Sequence, residues 1–283
     1  GKRSIKFVNC QSLPSKSSAV EEAIIIDIEN NVLSLIEKRF SIDGKPGFYL
    51  NEQYIKGEPK LTDKQKLNIV NKVVKKVEET NGEAIMKAAT LLADVTQKGG
   101  IIYGFGTGHS HLVVDDAFWR AATPANYCAL LEPSATGNQE ITKSYFIENT
   151  YGIGSLIVDY HRITPNDCMI IISNSGNNIA PVDAAIRAKE KGIPVIAITA
   201  VEYSDYLKTK HKDGVKLKDV ADIVLDNCSL IGDAAVEIEN FDMKVGSTST
   251  IPNVYLQNCI LTQMVEILVE RGFEPNVYYN GHM

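Results

Sequence analysis

The sequence predicts an α/β fold: a five-stranded parallel sheet with helices on both faces, preceded by a small N-terminal segment containing a β-hairpin. Three observations lead there. Short, unbroken apolar runs recur at residues 101–105, 127–131, 168–172, 195–198 and 223–225. Each is too short for a helix and has no polar side, the pattern of strands buried on both faces of a parallel sheet. Stretches with helical spacing separate them, which is the alternation of an open, doubly covered sheet. Ahead of all this, VLSLIEKRFSIDGKPGFYLNEQYI alternates apolar and polar residues on both sides of Asp43-Gly44. That is a hairpin signal.

The elements follow in order. Residues 17–26 read as a helix running into an apolar strand, then comes the hairpin, and residues 56–60, with Gly57 and Pro59, read as a linker. The expected units are therefore 1–58 and 59–283. Residues 61–98 carry a helical pattern: Thr62 and Gln65 form a capping box, and Val70, Val73, Val74 and Val77, then Ile85, Ala88, Ala89, Leu92 and Val95, keep the period. Asn81-Gly82 interrupts it and predicts two helices or a kink; Gly99-Gly100 closes it as a C-cap. Further helices are expected at 112–122, 156–163, 181–191 and 251–271.

Composition narrows the function classes. Of 283 residues, 44% are hydrophobic and 23% charged, an ordinary globular balance. A net charge of -6 argues against broad electrostatic binding of nucleic acid by these residues, unless a DNA-binding domain lies upstream. Cys10, Cys128, Cys168, Cys228 and Cys259 form no CxxC pair and mostly sit in apolar runs. Buried free thiols in a reducing cytoplasm are the expectation. No apolar stretch is long enough to span a bilayer, and the start lacks the apolar core of a signal peptide. No membrane partner is expected.

Two loops carry the chemistry. The first strand runs into Gly106, Thr107, Gly108, His109 and Ser110, and a helix follows. Glycines let main-chain N–H groups approach a ligand, and a helix N-terminus favours an anion. The spacing is GxGxG, not a dinucleotide fingerprint. The third strand runs into Ser173, Asn174, Ser175, Gly176, Asn177 and Asn178, again before a helix. Hydroxyls and amides there hold a phosphate dianion without a basic residue, or else simply cap a helix. In a sheet ordered 2-1-3-4-5, strands one and three are neighbours and their following helices lie on opposite faces. The crevice at their C-terminal ends is then the expected ligand site.

GFGTGHSHL, LLEP, IIISNSGNN, VIAIT, KHKDGVKLKDVADIVLDNC, GDAAVEIE, KVGSTSTI and LVERGFEP together resemble the SIS (sugar isomerase) domain family. Within it the likeness is to uncharacterised bacterial sugar-isomerase-domain proteins similar to phosphoheptose isomerase, from Leu61 to about Tyr278. The resemblance implies a flavodoxin-like strand order, a phosphorylated sugar as ligand, no cofactor, and a homo-oligomer, dimer or tetramer. It implies phosphate contacts from Ser110, Ser173 and Ser175. Asn177 and Asn178 stand where the family's second loop has a Thr. Ser247, Thr248 and Ser249 match a segment that contacts phosphate or sugar hydroxyls, or they cap the last helix.

Aldose–ketose isomerisation needs a base, usually a carboxylate, and often a His that opens the ring. Glu132 at the end of strand two, His109 in the first loop and Glu237 in AVEIE are the leading catalytic candidates. His111 and His211 are secondary ones. His-x-His spacing permits a metal, yet no third ligand is evident, so none is expected. The resemblance departs here. Phosphoheptose isomerases carry a glutamate on the helix after the first loop, where this chain reads AFWRA, and a late histidine for which the last helix offers no counterpart.

The first 58 residues resemble the opening half of a UTRA domain, the effector-binding module of GntR-type transcription regulators; the other reading is an accessory hairpin. Two function classes follow: a sugar-phosphate isomerase or related enzyme, preferred for its crowded crevice, and a non-catalytic sugar-phosphate sensor.

Overall fold

The computed structural model describes residues 63–282 and, before them, four strands: β1 (Lys6–Val8), β2 (Glu21–Asp27), β3 (Val32–Phe40) and β4 (Pro46–Leu50). The chain divides into two compact units, Gly1–Asp63 and Lys64–Met283. In the first, β1 to β4 pair in sequence order as an antiparallel sheet. β3 and β4 form the expected hairpin, with Phe40 opposite Pro46 and Ile36 opposite Leu50. Residues 21–26, expected to carry the end of a helix, are strand instead, because the run EEAIIID pairs with β3 along its whole length. The Asp43-Gly44 turn, the linker, Thr62 and Cys10 lie outside the described residues.

The second unit opens with α1 (Asp63–Gln97), one unbroken helix of 35 residues. The predicted break at Asn81-Gly82 is absent. Asn81 faces inward, and its amide donates to Val77 O and Asp226 O, each at 2.8 Å, and accepts from Asp226 N at 2.8 Å. Its polarity is used to tie the helix to a sheet edge rather than to turn the chain. The glycine cap is as expected: Gly99 has φ +76° and Gly100 N–H donates to Val95 O at 2.9 Å.

The sheet comprises β5 (Ile102–Gly106), β6 (Tyr127–Leu130), β7 (Cys168–Ile172), β8 (Val195–Thr199) and β9 (Ile223–Asp226), all parallel, in the order β6-β5-β7-β8-β9. This is the 2-1-3-4-5 order. Alternate side chains feed two cores. Ile102, Ile170, Ile172, Ile196 and Ile198 pack with α1, α2 (His111–Ala117) and α9 (Thr250–Glu270). Tyr103, Phe105, Met169, Ile171 and Ala197 pack with α5 (Ile153–Tyr160), α6 (Ile179–Glu190) and α8 (Leu217–Val220). Helices α2 and α6, which follow β5 and β7, thus lie on opposite faces, and the crevice between them opens at the strands' C-terminal ends.

Helix α2 stops at Ala117, short of the expected 122. Beyond it the chain turns through Trp119 and Ala122, both at positive φ, and Ala122 N–H and Ala125 N–H donate to Tyr278 O (2.7 Å) and Asn276 O (2.8 Å). Pairing with the C-terminal tail outweighs local helical spacing. Six elements were not foreseen: α3 (Pro133–Thr136), α4 (Ile141–Glu148), α7 (Val201–Tyr206), and a hairpin of β10 (Ala234–Ile238) and β11 (Phe241–Ser247), with α8. The described cysteines are free; Cys168 and Cys228 are buried, whereas Cys128 and Cys259 are only half-buried. Among the described residues no helix is long and apolar enough to cross a membrane.

Candidate functional site

The first loop leaves β5 in a tight curl. A Cβ on Gly106 would sit 2.9 Å from the backbone of Ser110, and Gly108 has φ +51°, so the loop folds back on itself only with glycine at these positions. Ser110 N–H donates to Thr107 O at 3.1 Å. The curl exposes Thr107, Gly108, His109 and Ser110 to the crevice. His111 turns away: its Nδ1 meets Gly108 O and its Nε2 lies 3.3 Å from the Asn138 amide nitrogen. With Nδ1–H donating and Nε2 accepting, this buried ring pins the loop from behind.

The second loop closes on Gly176, at φ +59°, where a Cβ would meet Thr199 Oγ1 at 2.8 Å. Ser173 N–H donates to Ile198 O (3.1 Å) and Gly176 N–H to Ser173 O (3.0 Å). Asn174 is held by Asn227 (3.0 Å) and Ser229 (2.6 Å), both donating to its Oδ1. Ser173, Asn174, Ser175 and Asn178 face the crevice. Asn177 does not: its buried amide donates to Lys208 O (2.9 Å) and accepts from Lys210 N (3.1 Å). It is removed from the side-chain phosphate donors and becomes a loop clamp.

The two loops meet across a crevice of about 290 Å³, closed on its far side by Tyr203, Asp233, Ser249, Thr250 and Asn253. Among the described residues, the hydroxyls of Ser110, Ser173 and Ser175 donate to no protein acceptor. The N-terminus of α6, twelve residues long, opens at Asn178. The site therefore combines free hydroxyls, a helix terminus and curled main chain, a set suited to a phosphate group.

The crevice also holds a carboxylate that sequence reasoning missed. Glu148, at the end of α4, accepts from Thr107 Oγ1 at 2.8 Å. Burial pushes its carboxyl above the usual carboxylate range, while the Thr107 and Asn178 side chains and the Lys210 ammonium pull it back. A lone acid in YFIEN gives no sign of this role, because α4 is too short to stand out by periodicity.

Other candidates lie elsewhere. Glu132 caps α3, accepting from Ser134 N (3.2 Å) and Ser134 Oγ (2.6 Å), and lines a separate apolar groove with Leu131, Leu156 and Tyr160. Glu237 is solvent-exposed on the β10–β11 hairpin, 2.9 Å from Lys244, whose charge lowers its pKa. Neither carboxylate is brought to the crevice. His211 is buried against Asp183, with Nε2 3.0 Å from Oδ1, and is not among the crevice residues. Ser247 ends β11 on the exposed surface. Thr248 is buried with its hydroxyl and N–H both donating to Asp233 Oδ1, at 3.1 and 2.8 Å; its neighbour Ser249 reaches the crevice instead and donates to Asp233 Oδ2 at 2.8 Å. Among the described residues no group of three His, Cys, Asp or Glu side chains is placed to hold a metal ion.

The SIS domain model matches residues 67–200, a span that includes both loops. A UPF0309 protein of Halalkalibacterium halodurans is 35% identical over 213 residues, covering 75% of this chain and 88% of the relative. Another, from Thermoanaerobacter pseudethanolicus, is 34% identical over 218 residues, covering 76% and 88%. Phosphoheptose isomerase GmhA from Neisseria gonorrhoeae is a solved structure similar at 20% identity and TM-score 0.45, over 72% of this chain and 95% of that one. At 35% identity along most of both chains, with the domain model spanning the two crevice loops, the chain belongs to the UPF0309 group of SIS-domain proteins.

Proposed function

We propose that the crevice binds a phosphorylated sugar and isomerises it between aldose and ketose forms. The phosphate sits against Ser110, Ser173 and Ser175 and the N-terminus of α6. The sugar then runs past Glu148 and His109. A base for proton abstraction next to a carbonyl works best with a pKa near the working pH. The carboxyl raised by burial is Glu148, which takes the base role that Glu132 and Glu237 are too remote to fill. It removes the proton from the carbon beside the carbonyl and returns it to the neighbouring carbon. His109 is placed to move the hydroxyl protons. The observation that carries this reading is a half-buried carboxylate and three undonated serine hydroxyls on one crevice.

The experiment is incubation with a panel of aldose and ketose phosphates in deuterated water. The expected result is deuterium at the carbon next to the carbonyl with wild-type protein, and none with Glu148→Gln. A phosphosugar that binds in calorimetry and never exchanges would overturn the enzyme and leave a sensor.

A further inference from the structure

The segment between α7 and α8 reaches the crevice wall and is clamped along its length. Asn177 grips it at Lys208 O (2.9 Å) and Lys210 N (3.1 Å). His211 pins it next, with Asp183 on Nε2 (3.0 Å) and Asp213 N–H donating to Nδ1 (3.3 Å). Tyr151 packs edge-on against that ring at 5.3 Å, and its hydroxyl accepts Lys212 N–H at 2.7 Å. The backbone of Lys210 is thereby fixed on both sides.

Its ammonium is fixed too. Lys210 Nζ donates to Asn149 Oδ1 (3.1 Å) and to Asn178 Oδ1 (3.2 Å), and stands 5.8 Å from the centre of the Tyr145 ring. Asn149 directly follows Glu148, and Asn178 lines the crevice. Asn178 and Glu148 both line the crevice, so Lys210 ties the residue beside the carboxylate to the N-cap of α6 across from it. The charged and titratable groups around Glu148 are Lys210, from this segment, and those that share its crevice, His109 from the first loop, Tyr203 from α7 and Asp233; Thr107 adds a neutral donor.

We propose that Lys210 is a positioning residue of the crevice: its ammonium ties Asn149, next to Glu148, to Asn178 at the start of α6, and so holds that carboxylate toward the bound ligand. The proposal rests on Glu148 being the working carboxylate. It also gives Asn178, expected as a phosphate donor, a different task.

The test is a pH titration of the full chain carrying ¹³C-carboxyl glutamate, read by NMR, with the Glu148 signal identified by its loss in Glu148→Gln. In Lys210→Met the Glu148 midpoint moves upward, because the cation and the Asn178 side chain it holds favour the ionised form. Lys210→Arg keeps it near wild type. Asn178→Ala also moves it upward, and the double variant shifts by less than the sum of the two, as expected for groups acting in series. A merely loosened segment lowers the melting temperature without moving the midpoint. An unchanged midpoint in folded Lys210→Met overturns the proposal. Should that variant not fold, an unchanged midpoint in Asn178→Ala does the same. The titration uses no ligand, so its outcome is separate from that of the deuterium exchange.

Discussion

Ser175 illustrates how much one hydroxyl contributes when it has no partner in the empty protein. It accepts weakly from Asn177 N–H at 3.4 Å and donates to nothing among the described residues, so its proton is available to a phosphate oxygen. Ser175→Ala should weaken sugar-phosphate binding by roughly 1–3 kcal/mol, a several-fold to hundredfold loss by calorimetry, with the fold intact. Unaltered affinity would remove Ser175 from the site. Glu148 makes the opposite case, a group the empty protein holds at a cost. Its folded pKa is raised chiefly by burial, so its contribution to stability is fully present below the ordinary carboxylate range and is lost as pH rises through the raised value. Glu148→Gln, a neutral mimic of the acid, should therefore melt higher than wild type at pH 7.5. The gap should close toward pH 4. A variant that melts lower than wild type at neutral pH would mean the ionised form is the favoured one. That the serines of both loops would line one crevice was legible in the sequence, because the 2-1-3-4-5 order sets the ends of strands one and three side by side. Glu148 was not: nothing local distinguishes it, and only the docking of α4 against the first loop brings it to Thr107.

At the scale of elements, legibility followed length and burial. Strands β5 to β9 were all readable, since an apolar run of three to five residues bounded by turns is too short for a helix. Helices α3, α7 and α8 span four, six and four residues, too few for a helical period to repeat. AVEIE, which carries the catalytic candidate Glu237, is one arm of a hairpin, turned at Asn240 with φ +61°. The longest helix shows why a turn-like dipeptide misleads. Asn-Gly breaks helices when the Asn side chain bonds into a turn, but Asn81 bonds back to Val77 O within the helix and across to the backbone of β9. Strand β9 is the sheet's outer strand, so Asp226 N and O gain partners there that no neighbouring strand supplies. Asn81→Ala leaves the half-buried Asp226 N–H without the amide and Asp226 O with only the weak Cys228 thiol donor at 3.5 Å, and should lower unfolding stability by about 2 kcal/mol. Denaturant titration measures this; a loss within ±0.5 kcal/mol, the range of an ordinary surface change, would show that water replaces the amide.

For the whole molecule the question is whether the sheet domain stands alone. Among the described residues its two cores run from Val73 to Phe273, and the crevice lining runs from Thr107 to Asn253. A unit of this size with an apolar core on each face of its sheet buries enough surface to fold by itself. A chain of residues 59–283 should then unfold in one cooperative transition and bind the same phosphosugar as the full chain, with affinity changed less than threefold. Residues 1–58 would then act on something other than the primary contact. If the shortened chain is folded but loses affinity tenfold or more, the N-terminal unit contributes to the site, and the sensor reading, in which ligand binding is coupled to another module, gains ground over the self-sufficient enzyme. If it fails to fold, the boundary near residue 58 is not a domain boundary at all, and α1, which starts at Asp63, depends on what precedes it.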